Sequence, residues 1–159
     1  MLKRESRIIG LSAPRKLRLK NPIIGAVFRG SFWLDGLVTH TIDRTDPTYL
    51  NGLAAAIRRC KQYSQIHAAI FSRASILPQG LIDFTLLAEK LDISILVISR
   101  KQTCASAKST KLRTRKNSTS IWSPTENPVR ANELFSIGCA EHMTIPEAVR
   151  VADLIATQL

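Results

Sequence analysis

Short apolar runs bounded by turn residues dominate the first part of the chain. Arg7-Ile8-Ile9-Gly10-Leu11 is a short apolar run after its first residue, as a buried strand is, and Pro14 ends it. Arg15-Lys16-Leu17-Arg18-Leu19-Lys20 reads as a basic loop closed by Asn21-Pro22. From Ile23 to Leu34 the residues are β-branched and aromatic, with Gly30-Ser31 expected as a bulge or bend. Asp35-Gly36 separates that run from Leu37-Val38-Thr39-His40-Thr41-Ile42. It predicts a hairpin turn there, since a type I′ turn needs positive φ at both central positions. His40, between two threonines, reads as an ordinary strand residue.

The period then changes. Asp46-Pro47 predicts a helix start, and Leu50, Leu53, Ala54, Ile57 and Cys60 form one helical stripe. Arg58, Arg59 and Lys61 fall off that stripe near the helix end, where cations suit the helix dipole. Ile66 to Ser72 is a nearly continuous apolar strand, of the kind found at the centre of a parallel sheet. Pro78 to Leu91 predicts a second helix with Leu81, Phe84, Ala88 and Leu91 on one face and Asp83 on it. Ile93 to Ser99 is another buried strand. From Arg100 to about Arg130 the chain turns to Lys, Arg, Ser, Thr and Asn, with Glu126 as the one acid. Such a stretch buries too little apolar surface to offset chain entropy, so a mobile loop is expected, anchored by Ile121 and Trp122. Leu134-Phe135-Ser136-Ile137 reads as a short edge strand. Thr144-Ile145-Pro146-Glu147 reads as a capping box before a terminal helix striped by Ala148, Val149, Ala152, Ile155 and Leu159. No internal repeat is present.

This order predicts an α/β fold. Its mixed five-stranded sheet has an antiparallel meander of three strands plus two parallel strands, with helices on its faces. That is the ribonuclease H-like architecture. With 159 residues, the chain suits a single domain over 1–159 with a basic flexible loop at about 100–130.

Charge adds a partner class. There are 23 Lys+Arg against 12 Asp+Glu, a formal net charge of +11 and a pI near 10.2. Such a surface attracts polyanions by long-range potential and counterion release. The candidate contacts to DNA or RNA phosphates are Arg15, Lys16, Arg18 and Lys20 in the first loop, Arg73 after the fourth strand, and Lys108, Lys111, Arg113, Arg115 and Lys116 in the basic segment. Aromatic residues make up only 6 %, and most are expected in the core, which argues against base stacking. Cys60, Cys104 and Cys139 are few, scattered and odd in number, which fits a reducing cytoplasm rather than a disulfide framework. Cys139-x-x-His142 is half a zinc motif without its second half. No apolar run reaches the roughly 20 residues of a membrane helix, and no secretory apolar core follows the basic N-terminus.

The strand ends carry the most telling feature. A ribonuclease H-type nuclease holds divalent metals on converging carboxylates. Here the corresponding ends read Gly10-Leu11-Ser12-Ala13-Pro14 and Ile70-Phe71-Ser72-Arg73, without Asp or Glu. Three runs carry a resemblance. They are Arg7-Ile8-Ile9-Gly10, the run from Gly25-Ala26-Val27-Phe28-Arg29-Gly30 to Trp33-Leu34-Asp35-Gly36, and Ile145-Pro146-Glu147-Ala148-Val149-Arg150 continuing to Ile155-Ala156. In these the chain resembles the archaeal endonuclease V-like family, a domain of unknown function numbered ninety-nine. The resemblance implies a ribonuclease H-like fold and kinship with a metal-dependent nuclease. It also implies Asp-Asp where Ser12-Ala13 stands and Leu-Asp-Gly where Phe71-Ser72-Arg73 stands. Asp35 is retained, although a local turn would explain it. Serine hydroxyls hold Mg²⁺ poorly, and Arg15 and Arg73 would make the crevice between Ser12 and Ser72 suit phosphate instead. The expectation is a non-catalytic, cytoplasmic nucleic-acid-binding protein with no cofactor and no metal. The alternatives are a nuclease with its acids relocated to Asp35, Asp83 or Glu141, and a scaffold for another protein.

Overall fold

The computed structural model describes residues 2–16, 18–43, 45–72, 82–99, 110–113 and 120–159. Its elements are β1 (Arg7–Ser12), β2 (Lys20–Arg29), β3 (Trp33–Asp43), α1 (Tyr49–Arg58), β4 (Ile66–Phe71), α2 (Phe84–Leu91), β5 (Ser94–Ser99), β6 (Thr110–Arg113), β7 (Ser120–Ser123), α3 (Pro128–Gly138) and α4 (Glu147–Thr157). The strands form one mixed sheet in the order β3-β2-β1-β4-β5-β7-β6. The meander is antiparallel, β4 runs parallel to β1, and β5 runs parallel to β4. The first five strands thus follow the predicted topology. Among the described residues the sheet has seven strands rather than five, because β6 and β7 add antiparallel beyond β5 within the stretch expected to be a loop.

The central strands are apolar throughout because both of their faces are covered. On one face Ile9, Leu11, Ala69 and Phe71 pack with Leu53, Ile57, Leu87 and Leu91 of α1 and α2. On the other, Ile8, Ala26, Ala68 and Ile70 pack with Leu134, Phe135, Ala148 and Ala152 of α3 and α4. Edge-to-face ring contacts link Phe71 of β4 to Phe84 of α2 at 5.0 Å, and Phe84 to Trp122 of β7 at 5.5 Å. The hairpin that reads as loop is therefore held by backbone pairing to β5 and by buried Ile121 and Trp122.

Other departures have local causes. The β2–β3 turn lies at Gly30 to Phe32, not at Asp35-Gly36. Gly30 has φ +58°, and its N–H donates to the Ser6 carbonyl at 3.0 Å. Asp35 is the extra residue of a bulge, since Val27 pairs with Gly36 and Phe28 with Leu34. Residues 134–137 belong to α3, not to an edge strand. Asn127 accepts a hydrogen bond from the Arg130 N–H at 2.9 Å, and Pro128 opens the helix. The capping box does not form. Pro146 is the N-cap residue, and Glu147 instead pairs with Arg150 at 2.8 Å. Ile82 and Asp83 precede α2 rather than lie in it, and Asp83 caps it by accepting from the Leu86 N–H at 2.9 Å.

Candidate functional site

β1 and β4 are parallel neighbours, so their carboxyl ends lie side by side. The Ser72 N–H donates to the Leu11 carbonyl at 2.9 Å, continuing the ladder one step past β4. This brings Ser12 and Ser72 together as expected, with the Ser72 Oγ donating to the Ser12 Oγ at 3.0 Å. The Ser12 hydroxyl then donates to Asp153 Oδ1 at 2.8 Å. Ser12 is fully buried, while Ser72 and Asp153 are half-buried.

Asp153 is the residue that sequence reasoning missed. It lies on α4, 141 positions from Ser12. What places it there is Gly10, whose missing side chain lets α4 rest on β1. A Cβ at Gly10 would meet the Ala148 carbonyl carbon at 2.2 Å and the Val149 nitrogen at 2.3 Å. The available signal was the small-residue run of α4, Ala148, Ala152 and Ala156, which marks a closely packed helix and turns Asp153 toward the strand end.

The donor set at this strand end does not fit the metal that the sequence resemblance implies. Among the described residues it consists of one carboxylate and two hydroxyls, and one oxygen of that carboxylate already accepts the Ser12 hydroxyl. Hard divalent cations favour several anionic oxygens. Among the described residues no group of three or more His, Cys, Asp or Glu could hold a metal. The relocated acids do not supply one. Asp35 is bound by Arg7 Nε at 2.7 Å and by Arg29 at 3.3 Å, and it sits at the opposite end of β1. Five strand steps separate Arg7 from Ser12, about 17 Å. Asp83 is a helix cap, and Glu141 is exposed in the turn between α3 and α4.

Asp153 also changes the reading of the crevice as a phosphate seat, since a phosphate between the serines would meet a carboxylate. The described candidate cations belong instead to segments at the same end of the sheet. Arg15, Lys16, Arg18 and Lys20 are exposed in the segment that leaves Ser12 and enters β2. Lys111 and Arg113 lie on β6. Arg113 pairs with Ser120, and Ser120 with Ser99 at the carboxyl end of β5. That end of the sheet is the one where Ser12 and Ser72 stand. Arg73, Lys108, Arg115 and Lys116 lie outside the described residues. The expected burial of the aromatics fails at one place, because Phe32 and Trp33 are 67 % and 69 % exposed. Cys139 is half-buried against the core, and its thiol is pushed up to about 12, first by burial and then by Glu147, which leaves it unfit as a thiolate ligand at neutral pH. No helix among the described residues is long and apolar enough to cross a membrane.

No family model matches the chain. A UPF0215 protein of Methanosarcina barkeri is 29 % identical over 99 residues, covering 62 % of this chain and 51 % of that protein. In that match the chain spans about half of its relative's length. A UPF0215 protein of Methanosarcina acetivorans is 26 % identical, covering 98 % of this chain and 91 % of the relative. By shape, a protein of unknown function from Archaeoglobus fulgidus superposes with TM-score 0.80 at 19 % identity, over 96 % of each chain. Human endonuclease V superposes with TM-score 0.67 at 14 % identity, over 96 % of this chain and 83 % of its own. Endonuclease V of Ciona intestinalis, solved in complex with DNA containing an inosine followed by a ribo-adenosine, gives TM-score 0.66 at 7 % identity, over 96 % and 85 %. The chain is therefore similar in sequence to the archaeal UPF0215 proteins and shares its fold with endonuclease V.

Proposed function

We propose that this protein binds nucleic acid through backbone phosphates and does not cleave it. The observation that carries the reading is topological. Two basic segments far apart in sequence reach the same end of the sheet, on either side of a strand end that lacks a metal donor set. β2 and β6 stand five strand spacings apart in the sheet order. At about 4.8 Å each, that is about 24 Å, the rise of about seven base pairs at 3.4 Å. The first loop and the β6–β7 hairpin could thus engage phosphates along one stretch of nucleic acid. Contacts of this kind position a protein without reading sequence. The fold neighbour from Ciona intestinalis, solved with DNA, supports the class of partner. In this reading Ser12, Ser72 and Asp153 form a strut that ties β1, β4 and α4 together, and the nuclease scaffold serves as a platform.

The test is salt dependence. Each phosphate neutralised adds about 0.9 to the slope of log K against log salt on duplex DNA. If the basic segment makes about four contacts, replacing Lys108, Lys111, Arg113, Arg115 and Lys116 by Ser or Gln should flatten the slope by about 3–4. Fluorescence anisotropy with a labelled duplex and a labelled single strand measures this. An unchanged slope would move the contacts to Arg15, Lys16, Arg18 and Lys20. No binding to either strand form at low salt would refute the reading and favour a protein-binding scaffold.

A further inference from the structure

At the end of the sheet opposite Ser12, the β2–β3 turn holds Phe32 and Trp33 out in solvent, at 67 % and 69 % exposure. Leu34 and Leu37 at the start of β3 are exposed as well. The turn is clamped in place. The Gly30 N–H donates to Ser6, and a Cβ at Gly30 would meet the Arg4 carbonyl oxygen at 2.2 Å. Asp35 ties the base of the turn to Arg7 and Arg29. The rings are therefore presented on a fixed support. They would lose little conformational freedom on gaining a partner.

Cations surround this tip. Lys3 and Arg4 lie in the segment against which Gly30 is clamped, and both are exposed. Arg29 is the cross-strand partner of Trp33. On the other side, Gln62 donates to the Asp35 carbonyl at 2.9 Å, which brings the segment just past α1, with its exposed Lys61, up to the start of β3. The nearby acids are Glu5 and Asp35, and Asp35 is already neutralised by Arg7 and Arg29. Exposed rings flanked by cations match a single-stranded nucleic acid, whose bases stack on aromatic faces while its phosphates meet the cations. A protein partner of neutral surface would have to cover the same cations without compensating them.

We propose that the β2–β3 tip is a base-stacking site for single-stranded nucleic acid, with Phe32 and Trp33 as the platform and Lys3, Arg4 and Lys61 as the phosphate contacts. The site rests on the reading of the chain as a nucleic-acid binder, but it uses none of the residues on which that reading is built. It gives the protein a strand preference, because bases paired within a duplex have no free faces to offer.

Trp33 supplies its own probe, since the other tryptophan, Trp122, is packed in the core. Titrating the intact protein with a short oligothymidylate should quench the Trp33 emission. Trp33→Ala should abolish that quenching and weaken single-strand binding about tenfold, which is about 1.4 kcal/mol. Phe32→Ala should act in the same direction. Trp33→Phe should keep most of the affinity, which separates stacking from a folding defect. Duplex affinity should change less than about twofold in all three variants. Equal single-strand affinity for the wild type and Trp33→Ala, with the salt slope intact, would refute the stacking site and leave the phosphate-binding reading standing. A Trp33 emission that shifts with protein concentration alone would also refute it, assigning the tip to a second copy of the chain. Absence of any nucleic-acid binding would remove both.

Discussion

Gly10→Ala should cost about 3 kcal/mol or more of folding stability, among the largest effects of any single methyl group in this protein. The added Cβ would lie 2.2–2.4 Å from backbone atoms of Ala148 and Val149. Backbone within a helix cannot rotate aside as a side chain can, so α4 would have to lift off β1. Lifting it would open the contacts of Ala148, Val149 and Ala152 with the sheet and loosen the Ser12–Asp153 bond. Gly36→Ala is the matched control. There the nearest atoms, at 3.3–3.7 Å, are the amide end of the Gln62 side chain, which can yield. Its cost should stay below about 1 kcal/mol. Urea unfolding of the two variants measures the difference through the midpoint. Equal midpoints would mean that α4 does not rest on Gly10 as the structure has it.

Ser12→Asp should be the second large effect, and its sign should depend on pH and metal. Position 12 is fully buried, and the Ser12 Oγ lies 2.8 Å from Asp153 Oδ1. A carboxylate there would face a second carboxylate without a cation between them. An uncompensated buried charge costs about 3–5 kcal/mol. Like charge and burial both raise the folded-state pKa of the new carboxyl above its unfolded value. A raised pKa gives stability that is present below the unfolded value and lost as pH rises through the folded one. The variant should therefore approach wild-type stability in mild acid and fall away toward neutral pH. Adding Ser72→Asp would supply a third carboxylate and make a donor set suited to Mn²⁺ or Mg²⁺. The double variant should then gain thermal stability on adding Mn²⁺, while the wild type should not. A pH-independent loss in Ser12→Asp, or a metal-dependent gain in the wild type, would contradict the assignment of this strand end.

The parts of the fold legible in the sequence are those set by burial. β1, β4 and β5 read as continuous apolar runs because helices cover both faces of the sheet. α1 and α4 read through their stripes, except that Leu159 lies past α4 and is exposed while Ala156 is buried in its place. The misread parts depend on partners distant in the chain. Asp35-Gly36 has the local chemistry of a turn, yet Asp35 is drawn into a bulge by Arg7, 28 positions away. Gly30 takes the turn because the segment at Arg4 to Ser6 holds it. β6 and β7 carry little apolar signal; β7 is drawn into the sheet by β5, and β6 by β7. Leu134 and Phe135 fit either period over so short a run. There the overlooked cue was Asn127-Pro128, a cap and first-turn pair. Within the site, the pairing of Ser12 with Ser72 followed from topology alone. Asp153 did not, because only the register of α4 over Gly10 brings it to the strand end.

Incubating the protein in excess with labelled single- and double-stranded DNA and RNA, in Mg²⁺ and in Mn²⁺, tests the central claim most directly. The account predicts strands that remain intact in every combination while low-salt anisotropy reports binding. Metal-dependent cleavage by the wild type that is lost in Asp153→Asn would contradict it, and would make the strand end of Ser12, Ser72 and Asp153 a working nuclease centre.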